Sequence, residues 1–132
     1  MEINQDIPRI LKDYQTIAVV GLSDNPSRSS HGVAKRMIEL GYEVIPVNPG
    51  KETVLGRKCY ASLRDIPGKV DLVNIFRNPE FVEPIIDDAI AIEARAVWMQ
   101  LGVINEQAAR KALDAGLEVV MDRCWAVEAL YL

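Results

Sequence analysis

The spacing of apolar positions along this chain switches back and forth between two patterns. Thr16–Gly21 (TIAVVG), Val70–Phe76 (VDLVNIF) and Ala96–Gln100 (AVWMQ) are short, dense apolar runs, as strands buried on both faces of a sheet require. Glu43–Val47 and Glu118–Met121 read as two more strands. Between these runs the apolar residues recur at helical spacing. Ile7, Ile10, Leu11 and Tyr14 predict a helix within Ile3–Tyr14, with Pro8 near its start, where proline is tolerated. Val33, Met37 and Leu40 mark the inner face of a helix that Ser29 or Ser30 caps and Gly41 stops. Residues 51–69 are less regular, with an extended piece at Arg57–Tyr60 and a helical turn at Ser62–Ile66. Asn78-Pro79 starts a helix that Pro84 interrupts, which predicts a short turn at 79–82 and a main helix over Glu83–Ala94. Asn105 caps a helix over Glu106–Ala115, closed by Gly116, and Asp122–Leu130 ends in a turn of helix.

Five strands alternating with helices predict an α/β fold: three layers, doubly wound around a mainly parallel, five-stranded, Rossmann-like sheet. Residues 1–132 carry no linker, repeat or low-complexity tract, so one domain is expected. Numbering the strands one to five, the expected order is 3-2-1-4-5, with 2-1-3-4-5 as the alternative.

Charge narrows the function. A net charge of −4 argues against nucleic acid as a partner. No apolar run reaches the length of a membrane span, and MEINQDIPRI is not a signal peptide. Cys59 and Cys124 lie far apart and form no C-x-x-C pair, which fits reduced thiols and a cytoplasmic protein. H-E-x-x-H, G-x-S-x-G and a Walker loop are missing, since Gly50-Lys51 runs into Glu52. No metal site and no catalytic residue is assigned.

In such a sheet, ligands sit beyond the carboxyl ends of the strands. Those ends are polar here: Gly21-Leu22-Ser23, Asn48-Pro49, Phe76-Arg77-Asn78, Gln100-Leu101-Gly102 and Asp122-Arg123-Cys124. Gly21 lets the backbone bend sharply after the first strand. Ser23, Ser29 and Ser30 offer hydroxyls, a helix N-terminus offers free amides, and Arg28 adds a fork suited to phosphate. An ordinary exposed βα loop with a capping serine would use the same letters. After the second strand a dinucleotide site usually places an acid for the ribose. Here Val47-Asn48-Pro49-Gly50-Lys51 has none, and Lys51 suits a ribose that itself carries phosphate, as in NADP or coenzyme A. A solvated surface lysine is the plain alternative.

The segments VVGLSDNPSRSS, GYEVIPVNP, DLVNIFRNPE, VWMQLGVINEQAA and VVMDRCWAVE together resemble the stand-alone CoA-binding domain proteins, which are similar to the N-terminal domain of the succinyl-CoA synthetase alpha subunit. The resemblance implies a Rossmann-like domain that binds CoA or an acyl-CoA. It implies that Gly21, Leu22, Ser23, Arg28, Ser29 and Ser30 surround the diphosphate, and that Val47, Asn48 and Pro49 flank the adenosine. It implies that Lys51 reaches the 3′-phosphate and that Phe76, Arg77, Asn78 and Pro79 line the pantetheine path. The ligase's phosphorylated histidine lies outside this domain, and the only histidine here is His31, in the first loop. Ligase activity is therefore not implied. The expected protein is a CoA binder, monomer or homodimer. The alternatives are an NAD(P)-dependent oxidoreductase, a CoA-thiol transferase using Cys124, or an interaction domain without a ligand.

Several residues admit two readings. His31 is a phosphate contact or loop surface. Cys124 points into the pocket or packs inertly. Asp122 is a base, a cap, or a partner of Arg77 or Arg123. Trp98 and Met99, adjacent on a strand, are expected to pack on opposite faces, and Trp125 to cover an apolar patch or a subunit contact.

Overall fold

The chain is seen in a computed structural model that describes residues 2–132. In chain order the elements are α1 (Ile7–Asp13), β1 (Thr16–Val20), α2 (Ser29–Glu39), β2 (Glu43–Val47), β3 (Thr53–Val54), β4 (Arg57–Lys58), β5 (Leu72–Ile75), α3 (Val82–Ala91), β6 (Ala96–Met99), α4 (Glu106–Asp114), β7 (Glu118–Met121) and α5 (Trp125–Ala129). Two 3₁₀ turns, Leu63–Asp65 and Pro79–Phe81, stand where the sequence predicts helical turns. The first helix is shorter than its apolar spacing suggests. Its N-cap, Asp6, sits in the left-handed region and sets the start at Ile7.

All five long strands pair in parallel, in the order β2-β1-β5-β6-β7. In strand count this is 2-1-3-4-5, so the expected 3-2-1-4-5 is corrected. Pro46 gives the physical reason. It sits in β2 and has no N–H to donate, so β2 belongs at an edge, and the expected order would have made it interior. The outer edge of β2 is partly covered instead. Tyr60 donates its N–H to Pro46 and receives that of Asn48, which makes a single bridge beside the β3–β4 hairpin.

Side chains alternate across the sheet and divide the core in two. Ala18, Val20, Val73, Ile75, Val97, Met99, Val119 and Met121 face α3 and α4. Ile17, Val19, Leu72, Ala96, Trp98 and Val120 face α1, α2 and α5. Trp98 and Met99 take opposite faces as expected. Trp125 is fully buried in the second layer, where its ring meets Tyr42 edge-on at 4.9 Å.

Asn105 caps α4 as predicted, its Oδ1 accepting the Ala108 N–H at 3.0 Å. The cap predicted for α2 is absent. Arg28 stands at the N-cap and gives no side-chain bond. Ser30 lies inside the first turn, where its hydroxyl accepts the Ser23 N–H at 3.0 Å. Among the described residues, no helix is long and apolar enough to cross a membrane.

Candidate functional site

The strand order reverses between β1 and β5. β2 is added on one side of β1, and β5, β6 and β7 on the other. This is where an open α/β sheet leaves a crevice. Two residues close its floor. Gly21 leaves β1 with φ +86°, and a β-carbon there would stand 2.2 Å from the Phe76 carbonyl oxygen. Only glycine lets the two strand ends lie so close.

The loop from Gly21 to Ser30 is tied internally. Asn25 Oδ1 accepts the N–H and the hydroxyl of Ser27, at 3.0 and 2.8 Å. The Ser23 hydroxyl accepts the Asn25 N–H at 3.0 Å, and the Asn25 carbonyl accepts the Arg28 N–H. The Asp24–Arg28 run thus builds a turn that delivers the chain to α2. With no side-chain cap on α2, the N–H groups of Ser29 and Ser30 have no hydrogen-bond partner among the described residues.

A cleft of about 940 Å³ opens above this point. Gly21 and Ser23, with Ser27, Arg28, Ser29 and Ser30, form one wall. Phe76, Arg77, Asn78 and Pro79 form the middle, and Gln100–Val103 and Cys124 the far end. A narrower niche of about 280 Å³ lies on the α3 side, lined by Val47, Pro49, Leu63 and Ile85 among others. The two cavities share Gly21, Arg77 and Phe81, with the Arg77 guanidinium 5.4 Å from the Phe81 ring centre.

Eleven of the fourteen residues singled out by sequence line one cavity or the other. Leu22 does not; it is fully buried in the core. Asn48 is spent on structure, its Nδ2 donating to the Leu22 carbonyl at 2.9 Å. Lys51 stands outside the lining, its Nζ 3.1 Å from Asp24 Oδ2 in the first loop. Sequence reading left Ser27, Phe81, Val103 and the Leu63–Ile85 niche outside the site. Ser27, Leu63, Phe81 and Val103 come from turns and short connections and Ile85 from α3, and their approach depends on the whole fold.

The charges in the cleft are one-sided. Among the described residues, Arg28 and Arg77 are its only ionic ones, and no Asp, Glu, Lys, His or Tyr lines it. Neither arginine is paired with a carboxylate among the described residues. Asp122 is not a base in the cleft. Its Oδ1 accepts the Gly102 N–H at 2.8 Å, and its backbone is left-handed at φ 61°. It pairs with neither Arg77 nor Arg123. Arg123 pairs instead with Glu128, Nη1 to Oε1 at 3.3 Å. His31 does not line the cleft. Cys59 is buried below the β2 end, its thiol donating to the Asn48 carbonyl, and burial pushes that thiol up from its ordinary range. No cluster of three or more metal-ligating side chains occurs among the described residues.

A carboxylate-free, arginine-bearing crevice at a strand-order switch accords with what the family comparison returns. The family model described as a CoA binding domain matches residues 15–129. The chain belongs to this CoA-binding domain family. An uncharacterised protein of Bacillus subtilis, YneT, is 43% identical over 119 residues, covering 90% of this chain and 88% of that protein. The alpha subunit of ADP-forming acetate–CoA ligase II from Pyrococcus furiosus is 43% identical over 68 residues. That match takes in 51% of this chain and only 15% of the subunit. A hypothetical protein of Pyrococcus horikoshii has the same fold with TM-score 0.95 and 43% identity, over 99% of this chain and 92% of the other. The CoA-binding domain is thus related to acyl-CoA ligase subunits, and its near relatives include small proteins of similar size.

Proposed function

We propose that this domain binds CoA or an acyl-CoA without ligase activity of its own. The observation that carries the reading is the cleft's charge: two unpaired arginines, an uncapped helix N-terminus, and no carboxylate. In a protein of net charge −4, that is a local reversal suited to a diphosphate. Gly21, Ser23, Arg28, Ser29 and Ser30 would hold the diphosphate, with Arg77 reaching it from the opposite strand end. Val47 and Pro49, in the niche beside Leu63 and Ile85, would flank the adenosine. Phe76, Asn78 and Pro79 would line the pantetheine arm. Leu22 and Asn48 would act through the backbone they fix. Lys51 would leave Asp24 for the 3′-phosphate.

The same inventory favours binding over catalysis. A general acid–base step needs a titratable group that gains and loses a proton near the working pH. Arginine does not, which leaves Cys124 as the one titratable lining residue other than arginine.

Thermal unfolding with CoA, 3′-dephospho-CoA, NAD and NADP, side by side, tests the reading. A ligand at about 100 times its dissociation constant adds roughly 2.7 kcal/mol, worth several degrees for a domain of this size. CoA is expected to raise the melting temperature, and 3′-dephospho-CoA to raise it less. A rise with NAD or NADP alone would replace this reading with that of an oxidoreductase. No rise with any of the four would leave an interaction domain.

A further inference from the structure

Asn74 stands within β5 and is fully buried. Its neighbours in the strand, Val73 and Ile75, and its register partners, Val19 and Trp98, are hydrophobic. Its Nδ2 donates to Gln100 Oε1 at 3.3 Å, but its Oδ1 is enclosed and has no partner among the described residues. The other enclosed atom in that condition is Nε1 of Trp125, whose backbone N–H donates to the same Gln100 oxygen at 2.9 Å. Both orphaned groups thus belong to residues that donate to one glutamine. A leucine at position 74 would remove the first orphan and fill about the same space, so packing alone does not account for an asparagine there.

Gln100 connects this cluster to the cleft. It follows β6 and is only 4% exposed, yet it lines the cavity. Two inner donors take its oxygen, which fixes the carboxamide with Nε2 turned away from them. That Nε2 has no partner among the described residues and is not enclosed. It is therefore an open donor on the cleft wall. Its distance from the anion-binding end suits the pantetheine arm. From β1, which delivers the first loop, to β6 there are two strand steps, which span ~10 Å. The second amide carbonyl of the arm lies about eight bonds from the phosphate oxygen, also ~10 Å at the ~3.6 Å per three bonds of an extended chain.

We propose that Asn74 is a positioning residue for the cleft: it fixes Gln100 so that the Gln100 amide donates to a carbonyl of the pantetheine arm. The inference rests on the CoA reading above and extends it to a residue that never touches the ligand. Without the Asn74 amide, only the Trp125 N–H holds the Gln100 oxygen, and the carboxamide is freer to turn about its last torsion. An amide that must be ordered on binding gives back part of the bond it makes. The adenosine and phosphate contacts lie on the first loop and in the niche beside Leu63 and Ile85, and they do not involve Gln100.

Calorimetric titration with CoA, and with adenosine 3′,5′-bisphosphate, which lacks the arm, tests the proposal. The proteins compared are wild type, Asn74→Leu, Gln100→Met and the double variant. Asn74→Leu is expected to weaken CoA about threefold and Gln100→Met about fivefold, the range of one hydrogen bond, with bisphosphate binding unchanged. The double variant is expected to match Gln100→Met, because Asn74 acts through Gln100. Asn74→Ala, which cannot crowd its neighbours, should show the same split between the two ligands. Equal losses for both ligands, losses that add in the double variant, or full CoA affinity in both Asn74 variants would overturn the positioning role and leave the CoA reading standing. Failure of both Asn74 variants to fold would also overturn it, by making Asn74 a residue of the fold. No binding of either ligand by wild type would remove the CoA reading and this inference with it.

Discussion

Two residues carry much of the site. Gly21 holds a left-handed backbone against the Phe76 carbonyl. For alanine the backbone strain alone is ~1–2 kcal/mol, and the 2.2 Å contact requires the two strand ends to separate. Gly21→Ala is expected to lower the unfolding free energy by more than ~2 kcal/mol in urea titration. An unchanged midpoint would show that the strand ends give way freely. Lys51 and Asp24 make an exposed pair whose attraction is modest. In the proposed complex the Asp24 carboxylate competes with a phosphate for the same ammonium. Lys51→Ala is therefore expected to weaken CoA roughly tenfold, with little effect on 3′-dephospho-CoA. Asp24→Asn should tighten CoA by roughly twofold to fivefold, the range of one exposed ion pair. Equal losses for both ligands in Lys51→Ala, by calorimetric titration, would place the 3′-phosphate elsewhere. Gly21, Arg28 and Arg77 were legible because their chemistry shows in the residue type. The Lys51–Asp24 pair was not, since it joins two loops that only the folded sheet brings together.

At the scale of elements, local punctuation specified nearly everything. Proline, glycine and asparagine bracket the helices, and the apolar runs mark the strands. Asn105 shows how one such residue serves two elements. Its Oδ1 caps α4, and its Nδ2 donates to the Pro79 carbonyl at 2.9 Å, on the rim of the cleft. Asn105→Ala is expected to cost ~1 kcal/mol of stability from the cap. It should also raise hydrogen exchange in the Asn78–Phe81 turn, and unaltered exchange there would mean the turn holds itself. Strand order was harder to read. A right-handed crossover satisfies both candidate orders, and hydrophobic density does not say on which side of β1 a strand is added. The deciding residue was present in Pro46, which only an edge strand accommodates without losing a ladder bond. The α2 start was misread for a related reason. A serine before an apolar run signals a cap, but here Ser30 is turned into the loop to hold Ser23, which leaves the helix end without a side-chain cap.

Over the whole molecule, ionisation and ligand binding draw on different residues. The shifted groups lie outside the cleft. Burial pushes Tyr14, Tyr42 and Cys59 up, and Asp87 holds the Lys111 proton. Each group keeps its proton longer in the folded chain than in the unfolded one. As pH rises, the unfolded chain therefore loses protons first. Stability from these groups is full below about pH 9 and falls above it. Guanidinium midpoints should hold up to about pH 9 and fall from there to about pH 10.5, and Tyr42→Phe should lessen the slope. A midpoint that rises over that range would contradict the assignment. The cleft, by contrast, takes its charge from two arginines, so CoA affinity is expected to fall with added salt.

The central claim is that CoA occupies the crevice between the β1 and β5 ends. The most direct test is a titration of CoA into ¹⁵N-labelled protein, followed through the backbone amide resonances. The account predicts saturable shifts concentrated at Gly21–Ser30 and Phe76–Pro79, with the unpartnered amides of Ser29 and Ser30 among the most affected. Shifts confined to the α4 surface or the C-terminal residues, or none at millimolar CoA, would contradict it.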